Sequence, residues 1–166
     1  MSRLGTETAF ALLAQVNKLK AEGKNIISFC IGEPDFDTPK NIRDAAKKAL
    51  DDGYTHYGPS TGLPEARKAY AEYLNSTRKN VTYNADEIVI TPGGKPVMFY
   101  AILLLADVDD EIIYPNPGFP IYESMINYVG AKAIPLPLLE KKEFIFDVKE
   151  LESLISLKTK MLILNS

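Results

Sequence analysis

The stretch EIVITPGGKPVMFYAILLLADVDDEIIYPNPGFPIY, residues 87–122, alternates short apolar runs with helical ones. EIVIT predicts a strand, KPVMFYAILLLA a helix with Pro96 in its first turn, and EIIYP a second strand that feeds the helix opening at FPIY. Strands joined through a helix make a βαβ unit, so the pattern predicts a parallel α/β sheet. Continuous apolar strands, residues 88–90 here and 161–164 near the end of the chain, suit a sheet covered by helices on both faces.

Upstream, residues 9–22 place Ala9, Leu12, Leu13, Val16 and Leu19 on one helical face, and Gly23 supplies the stop. NIISFCIG, residues 25–32, reads as an extended segment. Thr38 as cap and Pro39 at the first helical position predict a helix with the apolar stripe Ile42, Ala45, Ala46, Ala49 and Leu50 before Gly53. Pro64 and Glu65 open another, whose Ala66, Ala69, Tyr70, Tyr73 and Leu74 share a face opposite a solvated, charged one. Downstream come an extended KAIPLPL (132–138), a helix at 148–156 with Asp147 and Glu150 as a capping box, and the strand KMLILN.

The totals narrow the chemistry. The chain has 166 residues, 46% hydrophobic and 25% charged, with 19 basic and 22 acidic side chains and a net charge of -3. Such a balance gives no general attraction for nucleic acid or anionic lipid. AILLLA (101–106) is far too short to span a bilayer, and the N-terminus lacks a basic region followed by an apolar one, so a cytoplasmic location is expected. One cysteine, Cys30, excludes an internal disulfide, and with one histidine, His56, no metal site is expected.

Four loops can carry chemistry. In TPGGKP the glycines Gly93 and Gly94 let backbone amides approach an anion at a helix start, with Lys95 adding a cation. The same glycines also make an ordinary tight turn with a solvated lysine, and the stretch alone does not separate the two. YPNPGFPIY (114–122) follows the second strand at the same sheet edge, where open parallel sheets bind ligands. Phe119 there could stack on a flat ring or simply anchor the next helix, and Asn116–Pro117 is a candidate cis bond. IGEPDF (31–36) offers Glu33 and Asp35, which beside proline read foremost as turn formers. THYGPSTG (55–62) offers His56, a lone histidine to which no catalysis is assigned, while Cys30 reads as a small buried hydrophobe.

Taken together, IGEPDFDTP, THYGPSTGLPEARKA, EIVITPGGKPVMF and EIIYPNPGFPIYES stand in the order and at the spacing of class I/II aminotransferases, fold type I pyridoxal-phosphate enzymes. The sequence resembles the N-terminal part of that family over nearly its whole length. The resemblance implies the three-layer αβα large domain of pyridoxal-phosphate transferases, with a partial, mainly parallel sheet over residues 41–166. Residues 1–40 would be an N-terminal helix and arm belonging to the small domain. It further implies that Gly93, Gly94 and Lys95 hold the phosphate of pyridoxal 5'-phosphate and that Phe119 stacks on its ring. Gly32 would lie against the substrate carboxylate. Tyr57 would reach the cofactor phosphate of a neighbouring subunit, so a homodimer is expected. Phe119 stands where many members have tryptophan and Gly118 where many have tyrosine, which implies a smaller stacking face; PNPGFPIY is more similar to alanine- and diaminopimelate-type members than to aspartate-type ones.

The implied reaction is amino-group exchange between an amino acid and a 2-oxo acid, a step of amino acid metabolism and biosynthesis. The family's Schiff-base lysine has no counterpart among the residues of this chain, and Lys95 matches the phosphate loop instead. The expectation is therefore an aminotransferase fragment without a catalytic residue, inactive by itself. Two other readings share the same loops: a fragment of a same-fold lyase or cyclopropane-forming synthase, and a shortened, non-catalytic binding or assembly module.

Overall fold

The computed structural model describes residues 8–165. They form two compact units, one made of the chain up to Gly32 together with Lys95 onward, the other of Glu33–Gly94.

The first unit is built on β1 (Glu111–Asn116), which lies between β2 (Lys132–Pro137) and β3 (Thr159–Leu162), parallel to both. Side chains alternate faces along a strand, so full burial of both Ile112 and Ile113 means that β1 is covered on its two sides. One side is an apolar cluster: Ile112 and Tyr114 meet Ile102 of α4 (Gly94–Leu105), Tyr122 and Ile126 of α5 (Ile121–Val129), and Ala131. Gly130, at φ +88°, ends α5 in the left-handed conformation that glycine adopts without strain, and the chain returns at once into β2. The parallel unit is thus β1–α5–β2. Its ladder runs in register from Glu111 opposite Lys132 to Asn116 opposite Pro137.

β2 contains Pro135 and Pro137, which cannot donate to a ladder, and it occupies one edge of the described sheet. β3 occupies the other edge and alternates between half-buried and exposed residues. The strand expected over KMLILN, with 161–164 covered on both faces, is corrected: β3 spans Thr159–Leu162, and Ile163 adds one bond to the Ile113 carbonyl at 2.9 Å. Met161 and Ile163 pack against the core cluster while Lys160 and Leu162, which point to the opposite face, stay exposed, so only one face of β3 is covered. α6 (Val148–Leu154) ends two residues earlier than its pattern suggested. The Asp147 carboxylate caps it by accepting the Lys149 amide at 2.9 Å. The bond from Lys142, at 2.6 Å, is the main cause that holds this carboxyl below its ordinary range. α1 (Thr8–Ala21) turns Leu13, Val16 and Leu19 inward, as its periodicity predicts, but leaves Leu12 exposed.

The second unit contains α2 (Lys40–Asp51), α3 (Pro64–Thr77) and a 3-10 turn at Ala85–Glu87. Pro39 precedes the first turn of α2 at the N-cap, one position earlier than expected, and no side chain caps there, so Thr38 does not take that role. Pro64 sits at the start of α3 as its fixed φ predicts. Of the face read from apolarity only Leu74 turns inward; it is joined by Arg67 and Ala71, while Ala66, Ala69, Tyr70 and Tyr73 are exposed. EIVIT is likewise corrected: it is not a strand among the described residues but an extended segment after the 3-10 turn, tied to the 54–62 loop by a backbone bond from the Ile90 amide to the Thr61 carbonyl at 3.0 Å. A strand needs a partner along its length, and an apolar run by itself cannot specify one. The reciprocal capping expected at Asp147–Glu150 is found instead at this turn, where the Glu87 carboxylate accepts the Asn84 amide at 2.8 Å.

If β1 organises the first unit, Ile112→Ala should lower stability by about 2–5 kcal/mol in urea unfolding, while Leu104→Ala, at a residue 81% exposed, should stay within about 0.5 kcal/mol.

Candidate functional site

The strand-to-helix turn is shaped by its own backbone. Gly93 has φ +97°, a region that side-chain-bearing residues rarely occupy. The Gly93 amide donates to the Thr91 carbonyl at 2.8 Å, and the Thr91 hydroxyl donates to the Gly93 carbonyl at 2.7 Å. These two short bonds fold the turn directly onto the start of α4 at Gly94. The first N–H groups of a helix have no intrahelical acceptor, and the first turn of α4 carries no acidic side chain to compete for them. No atom lies within 4 Å of the place where a Cβ would stand on Gly93 or Gly94, so the turn faces open space. A phosphate fits such a cradle, because backbone donors, helix dipole and room coincide.

In the first unit, Lys95 and Phe119 come together: the ammonium stands 5.9 Å from the Phe119 ring centroid. Phe119 is half-buried and held by Tyr122, whose ring meets it edge-on at 5.8 Å and whose amide donates to the Phe119 carbonyl at 3.1 Å. Phe119 therefore anchors the start of α5, one of the two readings that the sequence left open, and its ring stands toward the Lys95 ammonium. Phe10 of α1 lies 5.5 Å from the same ammonium on its own side. Sequence reasoning missed Phe10, since it points away from the apolar stripe that defined the helix. The Tyr114 phenol of β1 is pushed up by burial first and then by the Glu123 carboxylate.

The loop that carries Phe119 contains a cis bond at Asn116–Pro117. It also has no space for a side chain at position 118: a Cβ on Gly118 would stand 2.2 Å from the Pro115 carbonyl oxygen. A larger residue there requires a different loop path, not merely a different pocket wall.

The remaining candidates divide between the two units. Gly32, in the first unit, is exposed with nothing within 4 Å of a Cβ position. Tyr57, in the second unit, has a fully exposed ring and lines, with Tyr54, His56 and Gly62, an open depression of 570 Å³. Among the described residues no group of three or more His, Cys, Asp or Glu could hold a metal ion, and no helix is long and apolar enough to cross a membrane.

Comparison with known proteins gives a consistent set of relatives. The family model for aminotransferase class I and II matches residues 24–166. A probable aspartate/prephenate aminotransferase of Aquifex aeolicus is 36% identical over all 166 residues, which make up 42% of that protein. An aspartate aminotransferase of Pyrococcus horikoshii is 41% identical over 142 residues, 86% of this chain and 36% of the relative. Among solved structures, an aspartate aminotransferase from Thermus thermophilus with maleate superposes with a TM-score of 0.93 at 30% identity, covering 100% of this chain and 44% of that one. The chain thus spans less than half the length of the relatives it matches.

A side chain at position 118 tests the loop. Gly118→Ala should displace residues 115–119, break the Phe119–Tyr122 edge contact as read in near-ultraviolet circular dichroism, and cost about 1–3 kcal/mol of stability. An unchanged aromatic spectrum would count against the loop path described.

Proposed function

The chain belongs to the aminotransferase class I and II family, and from that premise we propose that it is the N-terminal portion of a pyridoxal-phosphate-dependent aminotransferase exchanging an amino group between an amino acid and a 2-oxo acid. The observation that carries this reading is the sequence of a glycine turn, a helix start and Lys95, with the Lys95 ammonium 5.9 Å from the Phe119 ring. When bound, pyridoxal 5'-phosphate supplies the electron sink for chemistry at the substrate's α-carbon. The residues of this chain would bind and orient it. Backbone amides after Gly93 and Gly94 receive the phosphate, and Lys95 balances its charge. Phe119, fixed by Tyr122, offers its face to the pyridine ring, and Gly32 offers backbone to the substrate carboxylate. Tyr57, with its exposed ring, is assigned to the phosphate of a second subunit in a homodimer.

Names of the relatives, aspartate aminotransferases of several organisms, favour an acidic amino acid as donor over the alanine-type reading of PNPGFPIY. A cytoplasmic location, a biosynthetic role and the division into an arm at 1–40 and a large domain at 41–166 complete the proposal. No lysine of this chain is assigned as the family's Schiff-base residue, so the 166-residue chain is proposed to bind cofactor without turning over.

The test is equilibrium binding of pyridoxal 5'-phosphate and of pyridoxal to the purified chain, with transamination of aspartate and 2-oxoglutarate followed in parallel. Preference for the phosphorylated form and no turnover are expected. Lys95→Ala should weaken the phosphorylated form about tenfold, equivalent to about 1.4 kcal/mol, and leave pyridoxal binding near its original value. Equal affinity for the two compounds, or turnover, sinks the reading.

A further inference from the structure

Arg67 lies on the inward side of α3, with its side chain only 15% exposed, and every part of its guanidinium is used. Nε donates to the carbonyls of Ala85 and Ile88, both at 2.9 Å. One terminal nitrogen donates to the Thr61 hydroxyl at 3.3 Å, and the other meets the Asp86 carboxylate at 3.0 Å. A single planar group therefore joins the end of the 54–62 loop to the segment 85–88. The two are stapled again beside it. The Ile90 amide donates to the Thr61 carbonyl at 3.0 Å, and Gly62, at φ +99°, packs so closely that a Cβ there would stand 2.7 Å from the Ile90 Cβ. Three residues after Ile90 comes Gly93, already folded back onto Thr91.

We propose that Arg67 is a positioning residue for the phosphate turn: its guanidinium fixes the Tyr57-bearing loop and the approach to Gly93 and Gly94 as one rigid piece. This rests on the aminotransferase reading above and adds to it a residue that touches neither cofactor nor substrate. The chemistry favours arginine for a geometric reason. Its fork directs donors in several fixed directions within one plane, so it meets two carbonyls, a hydroxyl and a carboxylate at once. A lysine ammonium carries the same charge on a compact head and cannot span that set. Asp86 is almost wholly exposed, so the ion pair is the minor part and the carbonyl bonds the major one.

The experiment uses amide hydrogen exchange on the 166-residue chain together with binding of pyridoxal 5'-phosphate and pyridoxal. Arg67→Lys should speed exchange at the Ile90 amide about tenfold, and should weaken pyridoxal 5'-phosphate about fivefold while pyridoxal is unaffected. Arg43→Lys, at an exposed arginine of α2, serves as the control and should change neither. Thr61→Ala removes one acceptor and leaves α3 intact, so a smaller rise in exchange at Ile90, about two- to threefold, is expected. Wild-type exchange in Arg67→Lys overturns the proposal, as does an equal loss of both ligands; should Arg67→Lys not fold, wild-type exchange in Thr61→Ala overturns it. Failure of the unaltered chain to prefer the phosphorylated ligand refutes the functional reading instead, and the exchange comparison still decides whether Arg67 holds the two segments together.

Discussion

The burial of Ile112 and Ile113 on opposite faces of β1 is the constraint on which the first unit depends. A strand filled on both sides cannot slip by one residue without exchanging its two buried sets, so its register is fixed by packing as much as by hydrogen bonds. Because β1 is fixed, the loop after Asn116 leaves the sheet at a defined point, and Phe119 reaches the start of α5 where Tyr122 meets its ring. The close approach of Gly118 to the Pro115 carbonyl belongs to the same chain of causes. A ring-presenting residue half-buried at the end of a rigid strand keeps its orientation with no ligand to hold it.

The second unit solves a different problem with different means. It has little apolar core among the described residues: Ala71 and Ile88 are buried, while α2 buries none of its residues and its stripe residues Ile42 and Leu50 stay exposed. Order in the segments around α3 comes largely from directional bonds. Asn75 exchanges two of them with Tyr83, its side-chain amide donating to the carbonyl at 2.9 Å and its oxygen accepting the amide at 2.7 Å. Arg67 contributes the rest. Buried backbone carbonyls left without donors are costly, and a charge near the interior is tolerated when it is hydrogen-bonded; here every guanidinium nitrogen has an acceptor. Polar bonds of this kind set distances within narrow limits, which suits the positioning role proposed for Arg67.

What could be read from the sequence divides along the same line. Local signals were sufficient where one residue settles the backbone, Pro64 at the start of α3 and Gly23 just past the end of α1, and for the strand–helix–strand order from EIIYP onward. The family was legible because four loops stand in register. Illegible were the features that depend on a partner. EIVIT has the pattern of a strand and lacks a ladder; β3 has the pattern of a covered strand and lies at an edge of the described sheet; Thr38 has the chemistry of a cap, yet Pro39 takes the position. Phe10 carried no signal at all, since nothing in a helical period reports an approach to Lys95 from a remote part of the chain.

Arg67 shows why the inward face of α3 was misread. A hydrophobicity pattern ranks arginine as the residue most certain to face water, and by that rule its neighbours Ala66, Ala69, Tyr70 and Tyr73 define the buried side. The rule holds when burial is driven by apolar area. It fails where irregular backbone, with carbonyls that no ladder satisfies, must be packed against a helix, because there the limiting resource is donors and arginine supplies more of them than any other side chain. Ala71 and Leu74 follow Arg67 at helical spacing, so the true face is amphipathic only when arginine is counted as an inward residue. The inward arginine and the missing ladder of EIVIT thus meet at one atom: the Ile88 carbonyl, which no strand partner takes up among the described residues, is bound by the guanidinium.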